Sequence, residues 1–282
     1  MQRVVAIAAL LVLISQSLAA ATLDRVRESR VFRIGYRADA KPHSYRNDQG
    51  QPAGYVVDLC REVASAINVE VNQSRGNIQM SYVLVPADQR FEYVRDGKVD
   101  ILCDPSSITI ARREMVDFSL PTFLDGASVL YRVSRPVERY EDLNGKRVGV
   151  LVGTTTETTL REGLSAIRAN ATVVPVRDHR TGVGLLEEDK VDAYFADRAI
   201  IAAILYEGNR PGFALSKQYF SYETHGLALP RGDDAFRLLV DRTLARLYRS
   251  GRIESILAKT FGSVPSGEML KTMYVINSLP DR

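Results

Sequence analysis

The stretch DILCDPSSITIARREMVDF, from Asp100 to Phe118, holds the residue types best suited to chemistry in this chain. A short apolar strand runs into a Ser/Thr turn and then into a helix whose first turn carries Arg112. Backbone N–H groups at a helix start lack partners within the helix. The hydroxyls of Ser107 and Thr109, set beside a guanidinium fork, complete a pocket shaped for a carboxylate. Alone, the same pattern would be a helix capped by Ser107 and Thr109 with Arg112 solvated. Other chemistries find no support. No nucleophile–base constellation stands out, and three scattered histidines and two cysteines give no metal-ligand spacing, so no cofactor is expected.

The elements that must position this turn alternate between strand and helix, the pattern of an α/β fold with largely parallel sheets. Strands are predicted at 31–37, 81–86 and 99–104, and helices at 55–67 and 89–97, the second stopped by Gly97. After about Phe123 the pattern restarts. GKRVGVLVGTTTETTLREGL gives strand, Gly/Thr turn and helix; ATVVPV, a helix over GVGLLEEDK and the strand VDAYFAD follow. A K-V-D strand entry occurs at Lys98–Asp100 and again at Lys190–Asp192, so two similar lobes are implied. Extended segments at 127–133 and 224–230 bound the second lobe. An amphipathic helical pair from Asp233 to Phe261 returns to the first. Two chain crossings between two lobes make a hinge.

The N-terminal MQRVVAIAALLVLISQSLAAAT has the form of an export signal over residues 1–21, cleaved near Ala19 to Ala21, with no cysteine there to carry a lipid. Roughly 260 residues would remain, one large or two modest domains. A soluble exported protein is the expectation. The net charge is +3 with acids and bases interspersed, which argues against a nucleic-acid partner. No G-x-x-x-x-G-K-[ST] loop occurs, so the chain is not an ATPase of that type. Cys60 and Cys103 form either a disulfide, permitted in an exported chain, or two buried small hydrophobes.

The motifs GYVVDLCREVA, GKVDILCDPSSITIARREMVDFSLP, DLNGKRVGVLVGTTTE, KVDAYFAD and GRIESILAKTFG, in this order and spacing, resemble the extracellular solute-binding proteins of polar amino-acid ABC importers. The resemblance covers Leu23 to about Phe261. It implies a two-lobed, type II periplasmic-binding-protein-like fold, with residues 22–127 and 228–282 forming lobe one and 128–227 forming lobe two. The chain looks most like the glutamate/aspartate binders, which carry cationic or donor residues at the positions of Arg37, Arg90 and His179.

What the resemblance implies for the site is an acidic amino acid divided between two ends. Arg112, Ser107 and Thr155 would hold the α-carboxylate, Asp197 the α-ammonium, and Arg37, Arg90 and His179 the side-chain carboxylate. Asp197 could also cap the helix that begins RAIIAAIL. Binding across both lobes would drive hinge closure, recognised by a membrane permease with a separate ATPase subunit; the protein itself would be a periplasmic monomer. The chain departs from the pattern at Pro105, where a hydroxyl residue is usual and only a carbonyl and Ser106 remain to serve the ligand. Tyr36, Asp39 and Lys41 around Arg37 depart from it too. The same fold hosts prephenate-type dehydratases, for which Glu157, His179 or Glu223 could act as general acid, and sensory proteins that dock on receptors.

Overall fold

The computed structural model describes residues 21–71, 76–262 and 267–281; the export-signal segment 1–20 lies outside them. Two five-stranded sheets repeat one plan. In the first the order is Gln79–Leu84, Val31–Tyr36, Ile101–Cys103, Ala228–Leu229 and Asp117–Phe118; in the second it is Thr172–Val176, Arg147–Leu151, Ala193–Asp197, Ala127–Arg132 and Phe213–Leu215. The first three strands of each run parallel, and an antiparallel strand follows. The repeated K-V-D entry has a physical role in this plan. Asp100 accepts the backbone N–H of Arg33 at 2.7 Å, and Asp192 accepts that of Arg147 at 2.8 Å, so each aspartate fixes the start of its neighbouring strand.

Helix Tyr55–Val71 forms because Tyr55, Leu59, Val63 and Ile67, with Val56, Cys60 and Ala64, keep one stripe apolar; all are buried against the first sheet. Gly54, just before it, has φ +121°, and a Cβ there would lie 2.3 Å from the carbonyl oxygen of His43, so the close approach requires glycine. The helices Asp234–Arg249 and Arg252–Phe261 pack on this same lobe, and so does Glu268–Ile276 through Leu270, Met273 and Tyr274. Tyr274 and Tyr55 both donate to the Thr122 carbonyl, at 3.1 and 2.7 Å. His43 and His225 are buried here, their ring centroids 5.9 Å apart.

The chain passes between lobes at Phe123–Asp125 and Glu223–His225, which pair with each other as a two-stranded antiparallel ribbon. Ala127 already pairs with Asp197 in the second sheet, and Leu227 lies in the first core. The crossovers are thus held to a few residues. Among the described residues no helix is long and apolar enough to cross a membrane.

Cys60 and Cys103 are bonded, their Cα atoms 6.3 Å apart, and tie helix Tyr55–Val71 to the strand that precedes the Ser/Thr turn. Closing a 43-residue separation restricts the unfolded chain by about 4 kcal/mol on the chain-entropy model. The double variant Cys60→Ser, Cys103→Ser should lose stability of that order in urea unfolding; an unchanged midpoint would contradict this.

Candidate functional site

The turns that leave the carboxyl ends of the parallel strands face one another across the gap between lobes, where open α/β sheets present ligand groups. From the first lobe come Arg37 after Val31–Tyr36, Arg90 at the head of helix Arg90–Arg95, and the segment Asp104 to Ser107 after Ile101–Cys103. Thr154–Thr156 after Arg147–Leu151, His179 after Thr172–Val176, and Asp197 at the end of its strand come from the second. They enclose a cavity of about 30 Å³ whose walls include Arg37, Arg90, Asp104, Pro105, His179 and Asp197, with Leu151, Phe195 and Ile200 as apolar surface. A space that size admits two or three waters. A whole amino acid must therefore part the lobes to enter.

Five of the eight expected residues, Arg37, Arg90, Pro105, His179 and Asp197, line this cavity. Ser107, Arg112 and Thr155 form a second cluster at the crossover. Arg112 donates to the Ser107 carbonyl at 2.8 Å and lies over the Phe91 ring, 4.9 Å from its centroid. The hydroxyls of Ser107 and Thr155 meet across the lobes at 3.0 Å, and Thr155 donates to Glu223 at 2.6 Å. Burial lowers the Arg112 pKa, an effect opposed by Asp104, Glu223 and Asp197.

The cationic end carries its own counter-charges. Arg37 is paired with Asp39 at 2.6 Å, and the other oxygen of Asp39 accepts the backbone N–H of His179 across the cleft at 2.8 Å. Burial works against ionised Asp39, but Arg37 and His179 outweigh it and hold the carboxyl below its ordinary range. Arg90 is buried, with Asp104 at 3.2 Å, Ser106 at 3.3 Å, the Ala87 carbonyl, and the Gly153 carbonyl of the other lobe at 3.4 Å. Burial pushes its pKa down to about 10, partly offset by Asp104, so it remains cationic at neutral pH. The His179 ring meets Tyr194 at 2.9 Å, and burial depresses its pKa, leaving a neutral imidazole.

Three local readings are corrected. Thr109 alone caps the Arg112 helix, accepting from the Arg112 N–H at 3.1 Å, because Ser107 is turned toward Thr155. His179 is the first residue of helix His179–Glu187, capped by Asp178, so this helix starts three residues before the expected stretch GVGLLEEDK. Asp197 sits at the head of helix Arg198–Glu207 but makes no capping bond; one of its oxygens accepts from Thr156 at 2.8 Å instead. The cap comes from Asp125 on the crossover, which accepts the Ala199 N–H at 3.1 Å. Sequence reasoning also missed Asp104 as a charge of the site, although it stands next to the noted Pro105, and named Glu223 only as a general acid for the dehydratase alternative.

A sequence profile of bacterial extracellular solute-binding proteins, family 3, matches residues 32–263. The chain belongs to this family. It is 28% identical over 242 residues to the L-glutamate/L-aspartate-binding protein of Pseudomonas aeruginosa, covering 85% of this chain and 80% of that one. It is 25% identical over 243 residues to the L-cystine-binding protein of Escherichia coli, covering 86% of each. Among solved structures, a mutant of ArgBP from T. maritima matches with TM-score 0.76 and 25% identity, covering 86% of this chain and all of that one. The cysteine-binding protein of Campylobacter jejuni matches with TM-score 0.78 at 22% identity, covering 90% and 98%, a likeness of fold.

In this solute-binding protein the Asp125 cap couples the crossover to the second lobe and carries a pH signature. Burial pushes its carboxyl well above the ordinary 3.8, the charge of Asp197 adds to the rise, and the N–H groups of Gly126 and Ala199 pull back only in part. A raised folded-state pKa contributes stability below the unfolded value that is lost as pH rises through the folded one. Asparagine keeps the capping oxygen without the charge. The melting temperature of Asp125→Asn minus that of the wild type should therefore grow from pH 4 to pH 8; a constant difference would contradict the assignment.

Proposed function

We propose that this solute-binding protein captures an α-amino acid outside the cytoplasm and delivers it, in the closed form, to the permease of an ABC importer whose ATPase is a separate subunit. In this reading residues 1–21 direct export and are removed, and the monomer works in the periplasm. Arg112, Ser107 and Thr155 take the α-carboxylate, and Asp197 with the Pro105 carbonyl takes the ammonium. The observation that carries the reading is the cross-lobe contact of Ser107 with Thr155 beside Arg112. Donors for one carboxylate come from both lobes there.

A ligand that touches both walls binds the closed state better than the open one and shifts the equilibrium between them. The crossover ribbon at Phe123–Asp125 and Glu223–His225 is the place where the backbone can absorb that motion. Glutamate or aspartate is the side chain that Arg37, Arg90 and His179 suggest, and the Pseudomonas aeruginosa relative supports it. The carboxylates already seated on Arg37 and Arg90 weigh against it.

The test is calorimetric titration of the mature chain, freed of bound solute by unfolding and refolding, with the twenty amino acids and their α-carboxamides. At least one amino acid should bind, and its α-carboxamide should not. Arg112→Ala should cost about 2–5 kcal/mol of that affinity, since truncation strands a buried charged partner. Silence from all twenty would overturn the proposal.

A further inference from the structure

The positions that an acidic ligand's side chain would use are filled by the chain itself. Asp39 places one oxygen on the guanidinium of Arg37 and the other on the N–H of His179, at the start of helix His179–Glu187 in the facing lobe. A helix start and a guanidinium together make a strong seat for one carboxylate. Asp104 holds Arg90 in the same way and also accepts from Ser106. Asp104 is 2% exposed and Arg90 4%, so neither can release the other without leaving a buried charge unpaired.

The charge arithmetic follows. At this end Arg37 and Arg90 contribute two positive charges, Asp39 and Asp104 two negative ones, and buried His179 none. Toward the crossover, Arg112 and Asp197 are left to the carboxylate and ammonium of a zwitterion, and Glu223, held by Thr155, adds a further negative charge that no acidic side chain would relieve. A third carboxylate would be set against Asp39 and Asp104 where, among the described residues of the cavity wall, both guanidiniums are already paired. A cationic side chain would find both carboxylates engaged. An amide, hydroxyl or thiol needs no net charge, and the unshared guanidinium N–H groups and carboxylate lone pairs supply its donors and acceptors.

Resting on the amino-acid reading of the cleft, we infer that the ligand is an amino acid with an uncharged polar side chain, and that Asp39 and Asp104 exclude glutamate and aspartate. Asp39 and Asp104 are thus specificity-determining residues. The apolar surface of Leu151, Phe195 and Ile200, which lines the cavity with Asp104 and Arg37, suits a short side chain with one polar group.

The experiment is calorimetry at pH 7 of wild type, Asp39→Asn and Asp104→Asn with glutamine, asparagine, serine, cysteine, glutamate, aspartate, arginine and lysine. The wild type should bind one of the first four at least ~10-fold tighter than any charged amino acid, because a charge left unpaired in a closed site is rejected strongly. Each asparagine variant keeps the side-chain shape and frees one guanidinium, so the preference should move toward glutamate or aspartate by ~10-fold or more. A wild type that prefers an acidic amino acid overturns the inference and leaves the importer reading standing. So does a ratio that neither variant moves. A wild type that binds no amino acid removes both readings, and the wild-type ranking decides even where a variant does not fold.

Discussion

The carboxylate of Asp39 belongs to the first lobe and is held by both. One oxygen is bound to Arg37 in its own lobe, the other to the head of a helix 140 residues further along the chain. Arg37 is buried and Asp39 half-buried, so the pair is shielded from water on most sides and its attraction is stronger than that of an exposed pair. The same anion therefore neutralises Arg37 and ties the two lobes together.

The rest of the architecture keeps such contacts in register. Each sheet delivers its functional turns from the same ends of its parallel strands, and Asp100 and Asp192 pin equivalent strands in the two lobes. The disulfide fixes the strand ahead of Asp104 to the main helix of the first lobe. The three C-terminal helices add their apolar faces to the core of that lobe. The crossover ribbon joins the two lobes; in it Asp125 and Glu223 stand opposite one another and each reaches into the second lobe, one to Ala199 and one to Thr155.

Local patterns in the sequence carried most of the scaffold. The apolar runs around Ile34, Leu102, Val150 and Phe195 became strands, and the stripe from Tyr55 to Ile67 became a helix, because periodicity is a property of a few neighbouring residues. The repeated K-V-D entry disclosed the duplication. Less legible were features made by distant partners. Nothing near Asp39 indicates that it meets His179, and nothing near Glu268 indicates which lobe its helix will cover. Arg37 and Arg90 read as free cations because Asp39 stands two residues from one and Asp104 fourteen from the other, and neither spacing announces a pair. His43 and His225 look scattered in sequence yet share one core, brought together only by the return of the chain through the crossover.

The most direct test of this account is to identify what the protein carries when purified without unfolding. Mass spectrometry of the solute released on denaturation should find one amino acid with an uncharged polar side chain, at close to one molecule per chain. Glutamate or aspartate in that position would contradict the neutralised cleft, because it would mean that Asp39 and Asp104 give up their arginines to the ligand.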